Sequence, residues 1–158
     1  MIADIITAIG ANLDADTDIT DAGYIKRDYH DDKLSVDDWR TGSIEYDVPE
    51  ESVESEPVID YGVLAKVDHT IEFRVTKAGD GTPADLRNDV LAMVDKVKKA
   101  QAKPKNHLGV TTVLVNSVRW GPVRFMKPGP PPSESNLNKR VVRFTVSCRE
   151  YQNAQTRA

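Results

Sequence analysis

The longest regular pattern in the chain is the stretch 65–75, in which mostly apolar residues alternate with polar residues without interruption. Strict period-two alternation predicts a β-strand with one face buried and the other in water. At about 3.3 Å per residue the strand would extend roughly 35 Å, which is long for a small domain. The predicted inward residues are Ala65, Val67, His69, Ile71, Phe73 and Val75, and the predicted outward residues are Lys66, Asp68, Thr70, Glu72 and Arg74.

Two segments have the period of an amphipathic helix. The first is 2–13, which we expect to end in the Asp- and Thr-rich run 14–21. The second follows a predicted turn at 77–81, with Thr82 as a candidate N-cap and Pro83 at the first helical position. Its apolar stripe predicts a helix over 83–101 and consists of Leu86, Val90, Met93, Val94 and Val97.

The remaining elements predict the fold class. Strands are expected at 24–29, 43–48, 110–120 and 140–151, with irregular acidic segments at 30–39 and 49–60. The last two strands would form a hairpin whose long tip, 121–138, contains three consecutive prolines and is therefore stiff. We predict an α+β fold, with two main helices on one face of a largely antiparallel sheet. A length of 158 residues predicts a single domain, 1–158, with the acidic segment 49–60 and the Pro-rich loop 121–138 as excursions.

Charge is divided unevenly along the chain. Residues 1–60 hold 17 Asp or Glu and 4 Lys or Arg, whereas residues 61–158 hold 8 acidic and 17 basic residues. Blocks of opposite charge can neutralise each other within one fold. They can also neutralise each other between copies arranged head to tail, which is how rings are built.

The residue types that commonly bind metals or catalyse reactions do not occur in a recognisable pattern. A single cysteine, Cys148, excludes an intrachain disulfide and a cysteine-cluster metal site. The spacing of His30, His69 and His107 matches no standard ligand pattern, and no cofactor, metal or enzymatic activity is expected. No apolar run is long enough to cross a membrane, and no secretory signal is expected because the N-terminus lacks a basic region.

The basic C-terminal half allows two interpretations. Aromatic residues among arginines can stack on bases, so a small nucleic-acid-binding domain is one alternative. A net charge of −4 weighs against it. Aromatic residues, Met and Arg beside a Pro-rich tip instead favour a protein contact, for which Trp120, Phe125 and Met126 are candidates. For Trp120 the alternative of covering the domain's own core is equally open.

The order of elements resembles that of tail terminators, also called tail-completion proteins, of tailed viruses. The matching stretches are 1–13, 69–75, 85–98, 113–120 and 141–146. The resemblance implies a non-enzymatic virion subunit, assembled in the host cytoplasm, that forms a homo-hexameric ring. Such a ring ends growth of the tail tube and joins tail to neck, so its partners would be itself, a neck or connector protein and the tail-tube protein, with DNA only as passing cargo. Other neck and head-completion connectors have similar plans and remain the alternative.

The acidic tract and the basic hairpin are the predicted subunit interface. The tract has few apolar residues, and we expect it to contact basic residues of a neighbouring copy rather than only those of its own chain. The predicted interface residues are Glu50, Glu51, Glu54, Glu56, Val58, Trp120, Arg124, Phe125, Met126, Pro130 and Pro131.

Overall fold

A computed structural model of the protein describes residues 2–27, 36–55, 64–102, 108, 110, 118–126 and 138–153. These residues form four helices and six strands in the order α1 (Ile2–Ala15), α2 (Thr17–Ala22), β1 (Ile25–Arg27), α3 (Val36–Thr41), β2 (Ser43–Ser55), β3 (Leu64–Gly79), α4 (Pro83–Ala102), β4 (Arg119–Trp120), β5 (Arg124–Phe125) and β6 (Asn138–Asn153).

The six strands form one sheet. Its order is β1-β2-β3-β6-β4, and β5 pairs with β6 on the same side as β4. The pair β1–β2 is parallel, and all other described pairs are antiparallel. The prediction of an α+β fold with a mostly antiparallel sheet and two main helices is confirmed.

The centre of the sheet is the pair β3–β6. Its register runs without a break from Leu64 opposite Asn153 to Gly79 opposite Asn138. Phe73 and Phe144 stand opposite each other, and their rings stack with centroids 5.0 Å apart. The predicted inward residues of β3 from His69 to Val75 are fully buried, which confirms the predicted phase. Ala65 and Val67 lie outside the described side chains.

The helices α1 and α4 cover the apolar face. Ile5, Ile9 and Leu13 repeat every four residues along α1 and are fully buried. The predicted stripe of α4 is also buried, and the Thr82 hydroxyl accepts a hydrogen bond from the Asp85 amide at 3.2 Å, as expected for an N-cap. Gly10 lets α1 approach the sheet closely, because a β-carbon there would lie 2.7 Å from the Tyr46 hydroxyl.

A polar seam joins the two main helices. The buried Gln101 side chain donates through Nε2 to the Ile9 carbonyl at 3.2 Å and accepts through Oε1 from Asn12 Nδ2 at 2.9 Å. Asn12 Nδ2 also donates to the Leu108 carbonyl at 3.0 Å. These bonds satisfy polar groups that burial would otherwise leave unpaired, so the seam fixes how α1 and α4 pack together.

The helix α1 ends within the run 14–21, as predicted, and the Asp16 side chain then accepts a hydrogen bond from the Ile19 backbone amide at 3.1 Å and caps α2. Two other local predictions are wrong. The segment 30–39, predicted to be irregular, contains most of α3 where it is described. The expected turn at 77–81 begins later, because β3 keeps pairing with β6 to Gly79.

The acidic tract is more regular than its composition suggests. Predicted to be irregular from residue 49, it continues β2 to Ser55 and pairs with β3. A register shift between Asp47 and Glu50 surrounds Pro49, which cannot donate a backbone hydrogen bond. Backbone pairing with β3 therefore orders residues 50–55 within their own chain, which their composition did not predict.

The C-terminal hairpin is confirmed where it is described, since β4 pairs antiparallel with β6. The loop 121–138 is not wholly an excursion, because Arg124 and Phe125 return to β6 as β5. The segment 111–117 of the predicted strand and the Pro-rich tip lie outside the described residues. The polar face of the sheet is not simply in water either, since Glu72 is 7% exposed and Thr76 is 2% exposed.

Candidate assembly surface

The edge of the sheet beyond β6 is formed by two short strands. Arg119 and Trp120 stand opposite Ser147 and Val146, and Arg124 and Phe125 stand opposite Arg143 and Val142. Pro122, which has no amide hydrogen, lies between these strands. The edge is therefore attached to β6 in two places and interrupted in the middle.

Two backbone bonds beside β4 and β5 hold this edge. The Gly121 amide donates to the Thr145 carbonyl at 2.7 Å, and the Met126 amide donates to the Val141 carbonyl at 2.9 Å. A β-carbon at Gly121 would clash with the Thr145 hydroxyl. The close approach that positions β5 therefore requires glycine at this point.

Trp120 belongs to the core of its own domain. Its ring is partly buried, tilted against Phe144 with centroids 6.0 Å apart, and has Lys98 Nζ 5.9 Å from its centre. Of the two roles left open by the sequence, covering the core is the one that the structure supports. Trp120 thus covers the core at this edge, and a contact with another copy stays a prediction.

Phe125 differs from the other large apolar side chains. It is 42% exposed, and no other large hydrophobic side chain among the described residues is classed as exposed. It lies beside a groove of about 430 Å³ whose lining is partly apolar and partly cationic. The groove is lined by Pro122, Arg124, Phe125, Met126, Arg143, Phe144 and Thr145.

A row of charged residues crosses the polar face of the sheet and ends at this groove. Successive strands place Arg27 opposite Glu45, Glu45 opposite Arg74, Arg74 opposite Arg143, and Arg143 opposite Arg124. Directly paired residues share a face of the sheet, so the five positions lie in line over about 19 Å. Four of the five are arginines.

Two carboxylates in or beside this row are buried, whereas two of its guanidinium groups are exposed. Glu45 is 4% exposed, and the buried Glu72 pairs with Arg143 Nη2 at 2.9 Å. Arg143 and Arg124 are classed as exposed, and Arg124 has no ion-pair partner among the described residues. Directly opposed like charges destabilise a sheet. The groove therefore presents a local excess of positive charge to any incoming partner.

The opposite edge of the sheet is acidic. Beyond Glu45, β2 has β3 as its one neighbouring strand within the described residues, because β1 pairs only with Ser43–Glu45. Glu50, Glu51 and Glu54 stand opposite Thr70, His69 and Lys66 of β3 in backbone register. The predicted acidic residues thus lie along a strand edge, and Glu56 and Val58, like Pro130 and Pro131, lie outside the described residues.

Ion pairs form within each of the two charge blocks. Asp68 accepts two hydrogen bonds from Arg149, at 2.7 and 3.0 Å, and Asp14 pairs with Lys26 at 2.6 Å. With Glu72 bonded to Arg143, these contacts occupy two of the acidic residues on the polar face of β3. No group of three possible metal ligands occurs among the described residues.

Sequence reasoning missed the arginine row. Each member lies in a polar position of its own strand, but only the register of the strands brings the members together. The outward phase of Arg74 and Arg143 was the available signal. The sequence also gave no reason to expect the Lys139 ammonium 3.7 Å from the centre of the Trp39 ring.

The matches to known proteins are all to solved structures. No family model matches the chain, and no curated protein matches it. Among solved structures, the chain is similar to one described as "Virion of native gene transfer agent (GTA) particle", with 15% sequence identity and a TM-score of 0.46, over 93% of this chain and 94% of that one. Within the described residues, no helix is long and apolar enough to span a membrane.

Proposed function

We propose that the chain is a structural subunit of a tailed virus or virus-like particle. Its copies assemble head to tail into a ring, most simply a hexamer, that ends the tail tube and joins the tail to the neck. The order of elements supports this role because it resembles that of tail terminators. The partners in this role are other copies of the chain, a neck or connector protein and the tail-tube protein.

One observation carries the proposal: the two edges of the same sheet have opposite charge. The edge at β2 includes Glu50, Glu51 and Glu54, and the edge at β5 includes Arg124 with Arg143 behind it. Different surfaces that complement each other favour heterologous contacts, and these contacts form rings when the rotation between copies closes. A self-complementary dimer patch would place both charges on one surface.

The geometry supports assembly better than catalysis. The acidic and basic side chains of the central strands are engaged with each other at Asp68–Arg149 and Glu72–Arg143. The available groove combines an exposed phenylalanine with arginines, a composition enriched at protein interfaces.

Deleting the gene in the particle-producing host tests the role. A terminator predicts tail tubes of uncontrolled length, separate from filled heads, and restoration of normal tails when the gene is supplied again. Normal tail length with leaking heads would instead favour a head-completion connector. Normal, infectious or transducing particles would contradict a structural role.

A further inference from the structure

The groove beside β5 combines features that a β-strand of an incoming chain would use. The strand β5 has β6 on one side and, among the described residues, no strand on the other. An edge of this kind presents backbone donors and acceptors to a further strand. Peptides often bind by adding such a strand, with backbone bonds giving affinity and side-chain pockets giving specificity.

The side chains around that edge select for negative charge and some apolar surface. Arg124 and Arg143 are directly opposed, and Arg124 has no ion-pair partner within the described part of the chain. An incoming carboxylate can accept two parallel hydrogen bonds from one guanidinium group and relieve the repulsion between the two arginines. Phe125, the next residue of β5, offers an exposed apolar surface on the other face of the same edge.

The chain itself contains a strand with the required properties. Residues 50–55 read Glu-Glu-Ser-Val-Glu-Ser, which combines three carboxylates with one valine. They form the end of β2, where β1 no longer pairs with it. Since β2 and β5 lie toward opposite sides of the sheet, a copy cannot bring its own residues 50–55 to its own β5 edge without breaking the sheet.

We propose that residues 50–55 of one copy dock along β5 of the next, with a carboxylate of Glu50 or Glu54 beside Arg124, behind which Arg143 lies on β6. The proposal rests on the head-to-tail assembly proposed above and names its contact. In backbone register, Glu50 is paired with Thr70 and Glu54 with Lys66. These two positions lie on the same face of β3 as Arg74. The docked strand therefore extends the polar face of one sheet into that of the next.

A nucleic-acid backbone is the other polyanion that the arginines could bind. It would use the guanidinium groups but neither the free strand edge nor the exposed Phe125 ring. The combination of edge, ring and arginines therefore favours a protein strand, and nucleic acid becomes an outcome of the test.

Two charge-reversal variants and their mixture test the contact. Arg124→Glu removes the basic docking site, and Glu50→Lys/Glu54→Lys reverses the incoming strand. Each alone opposes like charges, so we expect the concentration for half-assembly in mass photometry to rise at least roughly tenfold, as for the loss of a close interfacial charge pair. When the two variants are mixed, their copies can alternate. Position 124 of the first variant, now Glu, then meets the lysines of the second variant, and Arg124 of the second variant meets Glu50 and Glu54 of the first. Assembly should therefore return.

Controls use exposed charges on α4. Arg87→Glu and Asp89→Lys/Asp95→Lys make the same charge changes away from both edges, and we expect them to assemble like the wild type. Circular dichroism of all variants establishes that each is folded before its assembly is measured.

The outcomes separate this contact from the general proposal. Assembly of the wild type and of Arg124→Glu at the same concentration would overturn the docking contact while leaving the ring intact. Loss of assembly in both variants without recovery on mixing would also overturn it. So would loss by Arg124→Glu of binding to a labelled 30-base-pair DNA duplex with unchanged self-assembly. A wild type that never self-associates would overturn both proposals.

Discussion

Phe73 and Phe125 belong to the same sheet but have opposite surroundings. Phe73 lies under the helices, fully buried and stacked on Phe144, whereas Phe125 is 42% exposed although its strand partner Val142 is fully buried. The difference lies in what covers each position. Alternation determines which face of the sheet a side chain occupies, but the helices α1 and α4 determine whether that face is sealed. Apolar residues that α1 and α4 do not cover are available for contacts between molecules.

The largest expected effect separates these two phenylalanines. Phe73→Ala should lower the free energy of unfolding by about 3–5 kcal/mol, because it leaves a cavity against Phe144 in the sealed core. Phe125→Ala should change it by less than about 1 kcal/mol, because the side chain already contacts water. Urea denaturation followed by circular dichroism measures both. Equal decreases in the free energy of unfolding would show that Phe125 contributes to the core as much as Phe73 does, and would contradict the difference described above.

A smaller effect should come from the seam that keeps the helices over the sheet. Gln101→Ala leaves the Ile9 carbonyl and the Asn12 amide without the bonds that Gln101 makes, and should cost about 1–3 kcal/mol. Lys99→Ala, an exposed position on the same helix, is the matched control and should cost less than about 0.5 kcal/mol. If the two variants unfold at the same urea concentration, the seam does not hold α1 and α4 over the sheet.

An ion pair on the polar face should matter less still. Asp68 and Arg149 are each more than a third exposed, so solvent screens their attraction, and their coupling should be no more than about 1 kcal/mol. A double-mutant cycle of Asp68→Asn and Arg149→Gln measures that coupling directly. A value several times larger would mean that the polar face stabilises the monomer as strongly as the seam does.

The fold was predictable where local pattern and tertiary packing agree. The phase of β3, the stripe of α4 and the cap at Thr82 each follow from residues close in sequence, and each is confirmed. The second half of β2 was missed because Pro49 and three glutamates have low strand propensity, and pairing with β3 outweighs that propensity.

The candidate surface was predictable only in part. Arg124, Phe125 and Met126 were expected to be contact residues, and the structure brings all three to one groove. Their relation to Arg143 and Glu72 depends on strand register, which no local pattern contains. The role of residues 50–55 as a contact between copies remains a prediction.

Arg124→Glu should have the smallest effect on folding of all these changes. The side chain is exposed and has no ion-pair partner within the described residues, so the free energy of unfolding should shift by about 0.5 kcal/mol or less. Denaturation at a protein concentration low enough to keep the chain monomeric measures this shift. A loss comparable to that of Gln101→Ala would mean that Arg124 supports the monomer rather than a contact between copies.

The molar mass of the wild-type assembly, measured by mass photometry over a series of salt concentrations, tests the central claim most directly. The account predicts a closed oligomer, most simply of six copies, that dissociates as salt screens the charges between copies. Electron microscopy of the same sample should show annular particles. A monomer at every salt and protein concentration, or a dimer that is insensitive to salt, would contradict it.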